Sequence, residues 1–244
     1  MPGPFGWETI DLASVPPLVP GEVHIYATRL TLDRQWQVNA GQLLDRAESE
    51  RAAQFRFEED RYRFQKTRAA LRLLLGNYLA IAPEHIQFRE GSHGKPYLAE
   101  PEADLQFNVS HTRGAAVLAF ARQVELGIDI EHARRKVDVA GVGRRVFTSA
   151  EQDRLSRFAG ASALRQFFRL WTAKEAYLKA TGSGLSCDPA TIEADLELGR
   201  FLNAADTRET LPYALKEIRT ANQFQVCLAH EGFAPSSLRT GEFI

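Results

Sequence analysis

The sequence is poor in cysteine: it has two, Cys187 and Cys227, in no spacing that suits a zinc site or a redox motif. That excludes a disulfide framework and fits buried thiols in a reducing compartment, so a cytoplasmic protein is expected. Net charge is nearly absent as well, at −1. The chain as a whole exerts no pull on nucleic acid or on a membrane surface, and any anion site must be a local one. No stretch is apolar enough to span a bilayer. The opening MPGPFGWETIDLASVPPLVPGEV holds too many prolines and acids for a signal peptide and reads as an extended arm. Also missing are a Walker loop, a GxGxxG fingerprint, a GxSxG elbow and an HExxH motif, which removes the common nucleotide-binding and hydrolase readings.

What is present is ordinary for a globular protein: 244 residues, 44% hydrophobic and 25% charged. That length suits one large domain or two halves of about 120 residues. Val23 to Leu32 alternates like a strand after the turn signal Pro20-Gly21. Two helical segments follow, about Ala40 to Phe55 and about Asp60 to Ile81, the second with Phe64, Leu71, Leu74, Leu75 and Tyr78 at helical spacing. Its other side carries Arg61, Arg63, Lys66, Arg68 and Arg72, which the nearby acids Glu58, Glu59 and Asp60 would balance on a solvated face.

After HIQFRE and the turn-rich GSHGKPYL come three strand-like runs, LQFNVS, AAVLAFA and ELGIDIE, separated by short turns. An antiparallel meander is the economical expectation, and it would bring Ser110 and His111 to the same sheet edge as Asp129 and Glu131. The pattern then resets. Thr148 and Glu151 have capping-box spacing, a longer helix runs from about Ala161 to Ala180 and stops at TGSG, and the strand-like runs TIEADLEL, YALKEIRT and QFQVCLAHE follow. Strand, helices, strands thus occurs twice, which hints at two similar halves joined near residue 122.

In LGIDIE, Asp129 and Glu131 point the same way from a strand, with α-carbons roughly 6.6 Å apart. Two like charges at that separation repel by ~0.6 kcal/mol in water but by ~2.5 kcal/mol at an effective dielectric near 20. Either the face is wet, the plain reading of such alternation, or a cation bridges the pair. In WTAKEAYLKATGSGL, Glu175 and Lys179 lie four apart on one helix face, which by itself describes a surface ion pair. The flexible Gly182-Ser183-Gly184 stop beside them is what a chain has when a ligand must come close. Lys95, in the turn Gly94-Lys95-Pro96, could meet a phosphate or stand in solvent. His111 could bind phosphate, move a proton or cap its turn.

Read in order, GKPYL, FNVSHT, LGIDIE, FTSAEQ and WTAKEAYLKATGSGL resemble the motif series of the surfactin-type 4′-phosphopantetheinyl transferases, over about Glu50 to Leu185. The resemblance implies an α+β fold of two similar halves related by a pseudo-twofold axis, each with helices packed on a mainly antiparallel sheet. Residues 1–122 would contact the coenzyme A phosphates, and residues 123–244 would supply the metal site and the carrier-protein docking surface. It implies a monomer that moves the 4′-phosphopantetheine arm of coenzyme A to a serine of an apo acyl- or peptidyl-carrier protein, with Mg²⁺ or Mn²⁺, leaving adenosine 3′,5′-bisphosphate. By motif position, Asp129, Glu131 and Glu175 would hold the metal. Arg51, Lys95, Asn108, Ser110, His111, Asp129, Glu175 and Lys179 would face the coenzyme, and Glu175, Lys179 and His111 would take part in the chemistry. Arg144, Arg145 and the segment after Gly182 are candidates for docking an acidic carrier.

The chemistry agrees with this implication, because phosphoryl transfer needs charge neutralisation and positioning more than covalent help. Two alternatives use the same groups differently. A metal-dependent nucleotide pyrophosphate hydrolase would employ the same carboxylates. An anion- or RNA-binding module would employ the Arg61 to Arg72 face, against which the near-zero charge and the lack of interleaved aromatics count.

Overall fold

The computed structural model describes residues 5–12, 15–31, 33–91, 94–99, 104–221, 223–232 and 235–243. Met1 to Pro4 with Ala13 and Ser14 of the expected arm, Leu32 at the end of the first expected strand, and Ser92 and His93 in the turn before Lys95 lie outside them. A two-residue strand, β1 (Glu8–Thr9), precedes β2 (Glu22–Arg29) and the helices α1 (Arg34–Leu43), α2 (Arg46–Ala53) and α3 (Glu58–Leu79). A small hairpin follows, β3 (Phe88–Glu90) with β4 (Pro96–Leu98), then β5 (Leu105–Thr112) and β6 (Ala115–Arg122). The second half repeats the plan with β7 (Leu126–His132), α4 (Val139–Val146), α5 (Ser149–Ser156) and α6 (Gly160–Thr181). It closes with β8 (Ile192–Asp195), β9 (Arg200–Asn203), β10 (Thr210–Ile218), β11 (Phe224–Glu231) and β12 (Ser237–Phe243).

The repeat is visible in the pairing. In the first half β2 pairs antiparallel with β6, and β6 with β5; in the second, β7 pairs antiparallel with β11, and β11 with β10. The fold is α+β with two pseudosymmetric halves. The final strand breaks that symmetry: β12 returns to the first sheet and runs parallel to β2 and β1, giving the orders β1-β12-β2-β6-β5 and β7-β11-β10-β9-β8.

Between the sheets lies one core, made by Val23 and Ile25 of β2, Val117 and Ala119 of β6, Ile128 and Ile130 of β7, and Val226 and Leu228 of β11. Outside the first sheet, Ala70, Leu71, Leu74 and Leu75 of α3 cover Tyr26, Phe107, Leu118 and Phe120. Outside the second, Phe167, Ala173, Ala176 and Tyr177 of α6 cover Phe201, Leu215, Cys227 and Ala229. The result is a helix–sheet–sheet–helix stack. It accounts for the unbroken apolar run of β6, which is covered on both faces. The N-terminal arm crosses this stack. Phe5 is buried, stacks on Phe224 at 5.2 Å between ring centres, and its carbonyl accepts the Ala221 amide at 2.7 Å.

Three expectations are corrected here. First, β7 does not continue a meander with β5 and β6; it pairs with β11 in the other sheet, where Leu126, Ile128 and Ile130 join the core between the sheets. Second, the segment expected as one helix from 40 to 55 is two, α1 starting earlier and α2 opened by Asp45. The Asp45 side chain accepts the Glu48 amide while Glu48 reaches back, a capping box that begins a new helix. Third, the basic side of α3 is not simply solvated, because α1 and α2 fold back over it. Arg72 is fully buried, donating to Glu48 at 2.8 Å, to Asp45 at 2.7 Å and to the carbonyls of Pro83 and Ile86 at 2.9 and 2.8 Å. Lys66 is buried too, with its ammonium 5.0 Å from the centre of the Trp36 ring.

Candidate active site

The two sheets meet edge to edge where β5 runs in the same direction as β7. Side chains take the place of a backbone ladder at this seam. The Ile128 amide donates to Asn108 Oδ1 at 2.9 Å, the Ile130 amide donates to Ser110 Oγ at 3.3 Å, and Thr112 Oγ1 donates to Glu131 Oε2 at 3.1 Å. Residues 108, 110 and 112 alternate along β5 and therefore share one side of it. Asn108 and Ser110 satisfy amides that a sheet edge would otherwise leave bare, and Thr112 ties down the Glu131 carboxylate.

On β7 the alternation divides cleanly. Leu126, Ile128 and Ile130 enter the core between the sheets, so Gly127, Asp129 and Glu131 face the other way, toward α6. Gly127 lets the helix come close: a Cβ there would lie 2.1 Å from the Ala176 carbonyl oxygen and 2.3 Å from the Ala180 nitrogen. With α6 resting on β7, Lys179 reaches across. Its ammonium donates to Asp129 Oδ1 at 2.6 Å and to Ser110 Oγ at 2.8 Å, while Ser110 Oγ also donates to Asp129 Oδ1 at 2.8 Å. Lys179 thus pairs with Asp129 of the sheet rather than with Glu175 one turn back on its own helix. The carboxylate pair of LGIDIE lies in a cleft, not on a wet face, and the Asp129 side chain is 8% exposed.

Lys95, Asn108, Glu175 and Lys179 line a single cavity of about 350 Å³, together with Pro96, Val109, Leu178, Gly94, Gly182 and Gly184. Gly182 closes α6 in the left-handed conformation, φ 65°, and opens the wall beside Lys179. Lys95 donates to Glu125 Oε2 at 2.8 Å and to the Ala180 carbonyl, at the end of α6, at 3.1 Å. Burial, and then the charges of Asp129 and Glu131, raise the pKa of Glu175 above its usual value, with Lys179 opposing. The imidazole of His111 is pushed the other way: protein packed about the ring, and then the charges of Lys179 and Arg63, lower its pKa.

Of the other residues expected at the site, Ser110 and Asp129 stand behind Lys179 rather than in the cavity wall, the exposed His111 is not in that wall either, and Arg51 and Glu131 have partners of their own. Arg51, on α2, lies 3.5 Å from Glu90 and over the Phe64 ring. Glu131 is beside Asp129 on β7, but Arg135 holds it at 2.8 Å and Thr112 donates to it. Arg144 and Arg145 occupy the last turn of α4, where they line a separate cavity of about 350 Å³ with Asp138, Gly141 and Val142. Sequence reasoning missed Thr112, Arg135 and Glu125. Thr112 continues the 108, 110 alternation and was findable on that ground; the other two are ordinary charges whose partners only the fold supplies.

The donor set suits a hard divalent cation in kind, being all oxygen. Asp129 Oδ2 is buried and has no hydrogen-bond partner, so one ligand atom is already free. Among the described residues no three His, Cys, Asp or Glu side chains are gathered around one point. Lys179 and Arg135 hold two of the acids, so these side chains must turn to enclose an ion.

The chain matches the 4′-phosphopantetheinyl transferase superfamily over residues 125–231, and the family described as 4′-phosphopantetheinyl transferase, N-terminal, over residues 31–123. The two matches meet between β6 and β7. The 4′-phosphopantetheinyl transferase HetI of Nostoc sp. is 36% identical over 171 residues, which is 69% of this chain and 72% of that one. The human L-aminoadipate-semialdehyde dehydrogenase-phosphopantetheinyl transferase is 33% identical over 163 residues, 61% of this chain and 52% of that one. Among solved structures, the holo-[acyl-carrier-protein] synthase of Thermotoga maritima overlaps 45% of this chain and 64% of that one at 17% identity and a TM-score of 0.34, too loose a likeness to say more. The chain belongs to the 4′-phosphopantetheinyl transferases. It is an enzyme of the class that converts carrier proteins to their holo form. Among the described residues no helix is long and apolar enough to cross a membrane.

Proposed function

We propose that the enzyme is of the surfactin type and transfers the 4′-phosphopantetheine arm of coenzyme A to a serine of an apo acyl- or peptidyl-carrier protein, releasing adenosine 3′,5′-bisphosphate. The observation that carries the reading is Lys179, which lines a cavity with Lys95 and Glu175 and from there holds Asp129 and Ser110 of the sheet edges. Cations and acids of both halves meet around it, the two kinds of charge that a diphosphate and its counter-ion call for. Lys95, Ser110, His111 and Lys179 contact the coenzyme's phosphates, with Asn108 beside them, and Arg51 takes the 3′-phosphate. Asp129, Glu131 and Glu175 hold Mg²⁺ or Mn²⁺, which when bound neutralises charge on the diphosphate.

Glu175 accepts the proton of the carrier serine, a role that its raised pKa suits. The serine Oγ then forms a bond to the β-phosphorus, and the bond from that phosphorus to the departing bisphosphate breaks. Lys179 meets the negative charge that develops on the leaving oxygen. His111, whose pKa its surroundings lower, donates a hydrogen bond. In this reading residues 1–122 supply the phosphate contacts and residues 123–244 the metal site and docking surface. Arg144 and Arg145 with the segment after Gly182 meet an acidic carrier. Internally paired halves support a monomer, and two free thiols support a cytoplasmic setting. Incubation with coenzyme A, Mg²⁺ and an apo carrier tests the reading by mass spectrometry. The carrier should gain one phosphopantetheine; bisphosphate release without that gain would instead make the protein a pyrophosphate hydrolase.

A further inference from the structure

Three cations around the cleft already sit on carboxylates. Lys179 sits on Asp129 at 2.6 Å, Arg135 on Glu131 at 2.8 Å, and Lys95 on Glu125 at 2.8 Å. A divalent cation arriving alone can reach the free Oδ2 of Asp129 only beside the Lys179 ammonium on Oδ1 of the same carboxylate, where like charges repel and one must give way. A diphosphate arriving alone can draw Lys179 away only by baring a carboxylate that is 8% exposed and has one oxygen already unpartnered. Stripping one member from a buried pair is costly because the other charge stays behind. When both ligands arrive together, the cation replaces the ammonium on Asp129 and the diphosphate takes up Lys179, so neither member of that pair is left bare.

We propose that the cleft takes a diphosphate and its divalent cation as one unit, with Lys179 serving in the free enzyme as the resident counter-ion that the metal displaces. This rests on the reading that the cavity receives the diphosphate of coenzyme A. Lys179 therefore has two stations, Asp129 before binding and a phosphate oxygen afterwards. By linkage, the factor by which coenzyme A tightens metal binding equals the factor by which the metal tightens coenzyme A.

Manganese(II) binding followed by electron paramagnetic resonance tests this on the full chain, with and without saturating coenzyme A. Wild type should bind Mn²⁺ alone weakly, and coenzyme A should tighten it by about tenfold or more, within the ordinary range of coupling between two ligands. Lys179→Met should bind Mn²⁺ alone several-fold tighter than wild type and show a smaller coupling factor. Lys179→Arg, which keeps the charge, should resemble wild type toward Mn²⁺ alone; both replacements are good helix formers, and melting curves check their folding. A Lys179→Met protein that is folded yet no tighter for Mn²⁺ alone overturns the exchange, as does a wild type that binds the two ligands independently. Wild type that takes up no Mn²⁺ even with coenzyme A present overturns the reading of the cavity itself, and the exchange with it.

Discussion

Gly127→Ala is the smallest change that tests how the site is spaced. The added methyl would stand 2.1 Å from the Ala176 carbonyl oxygen, 2.3 Å from the Ala180 nitrogen and 2.9 Å from the Ala180 α-carbon. All three are backbone atoms of α6, so no side chain can swing aside. Helix and strand must separate by roughly 1 Å to restore ordinary contact. Overpacking of this kind costs about 1–3 kcal/mol of stability. The larger effect falls on function, because the same separation draws Glu175 and Lys179 of α6 away from Asp129 of β7. A misplacement of about 1 Å costs on the order of a hundredfold in rate. The assay is transfer to an apo carrier, corrected for the folded fraction from a urea melt. A variant with normal stability and normal transfer would refute the close approach as the spacer of the site, and lost stability with full transfer would refute its link to catalysis.

Lys174 and Glu151 form an ion pair at 2.6 Å with both side chains fully buried, and Lys174 also donates to the carbonyls of Val146, Pro189 and Ile192. Lys174→Met should therefore lower stability by about 3–5 kcal/mol in urea unfolding, since it leaves Glu151 charged and buried. Disrupting the exposed Arg46–Glu50 pair by Arg46→Ala should leave the midpoint where it is. His24 is buried, and burial lowers its pKa beneath 6.5 against the opposing pull of Glu22. The unfolded chain then binds the proton more readily than the folded one, so stability should fall as pH drops from 6.5 through the lowered pKa. Urea midpoints between pH 7.5 and 5 should show the decline, and His24→Gln should flatten it.

Much of the site was readable because its parts obey local rules. The alternation of LGIDIE, the capping box at Thr148, and the four-residue spacing of Glu175 and Lys179 all hold. The convergence of Ser110 with Asp129 also holds, but for a different reason from the expected meander. Short turns favour pairing between neighbours, yet β7 lies beside β5 in a seam of side-chain hydrogen bonds and pairs with β11, almost a hundred residues on. Nothing local encodes that choice. β12 was illegible for a related reason: SLRTGEF alternates poorly, and a parallel partner more than 200 residues away leaves no turn signal. The basic side of α3 misled because periodicity shows which residues share a face, not what covers it; Arg72 is buried by Glu48 of α2 and by Asp45, its cap, 24 and 27 residues earlier in the sequence.

The central claim is that Asp129 is the sheet's contribution to a cation-holding cleft shared with α6. It is tested most directly by Asp129→Ala, assayed for carrier phosphopantetheinylation by mass spectrometry beside a melting curve. Transfer should disappear while the variant still melts cooperatively, at a midpoint below that of wild type because Lys179 and Ser110 lose the carboxylate they share. A folded variant that loads the carrier as fast as wild type would contradict it.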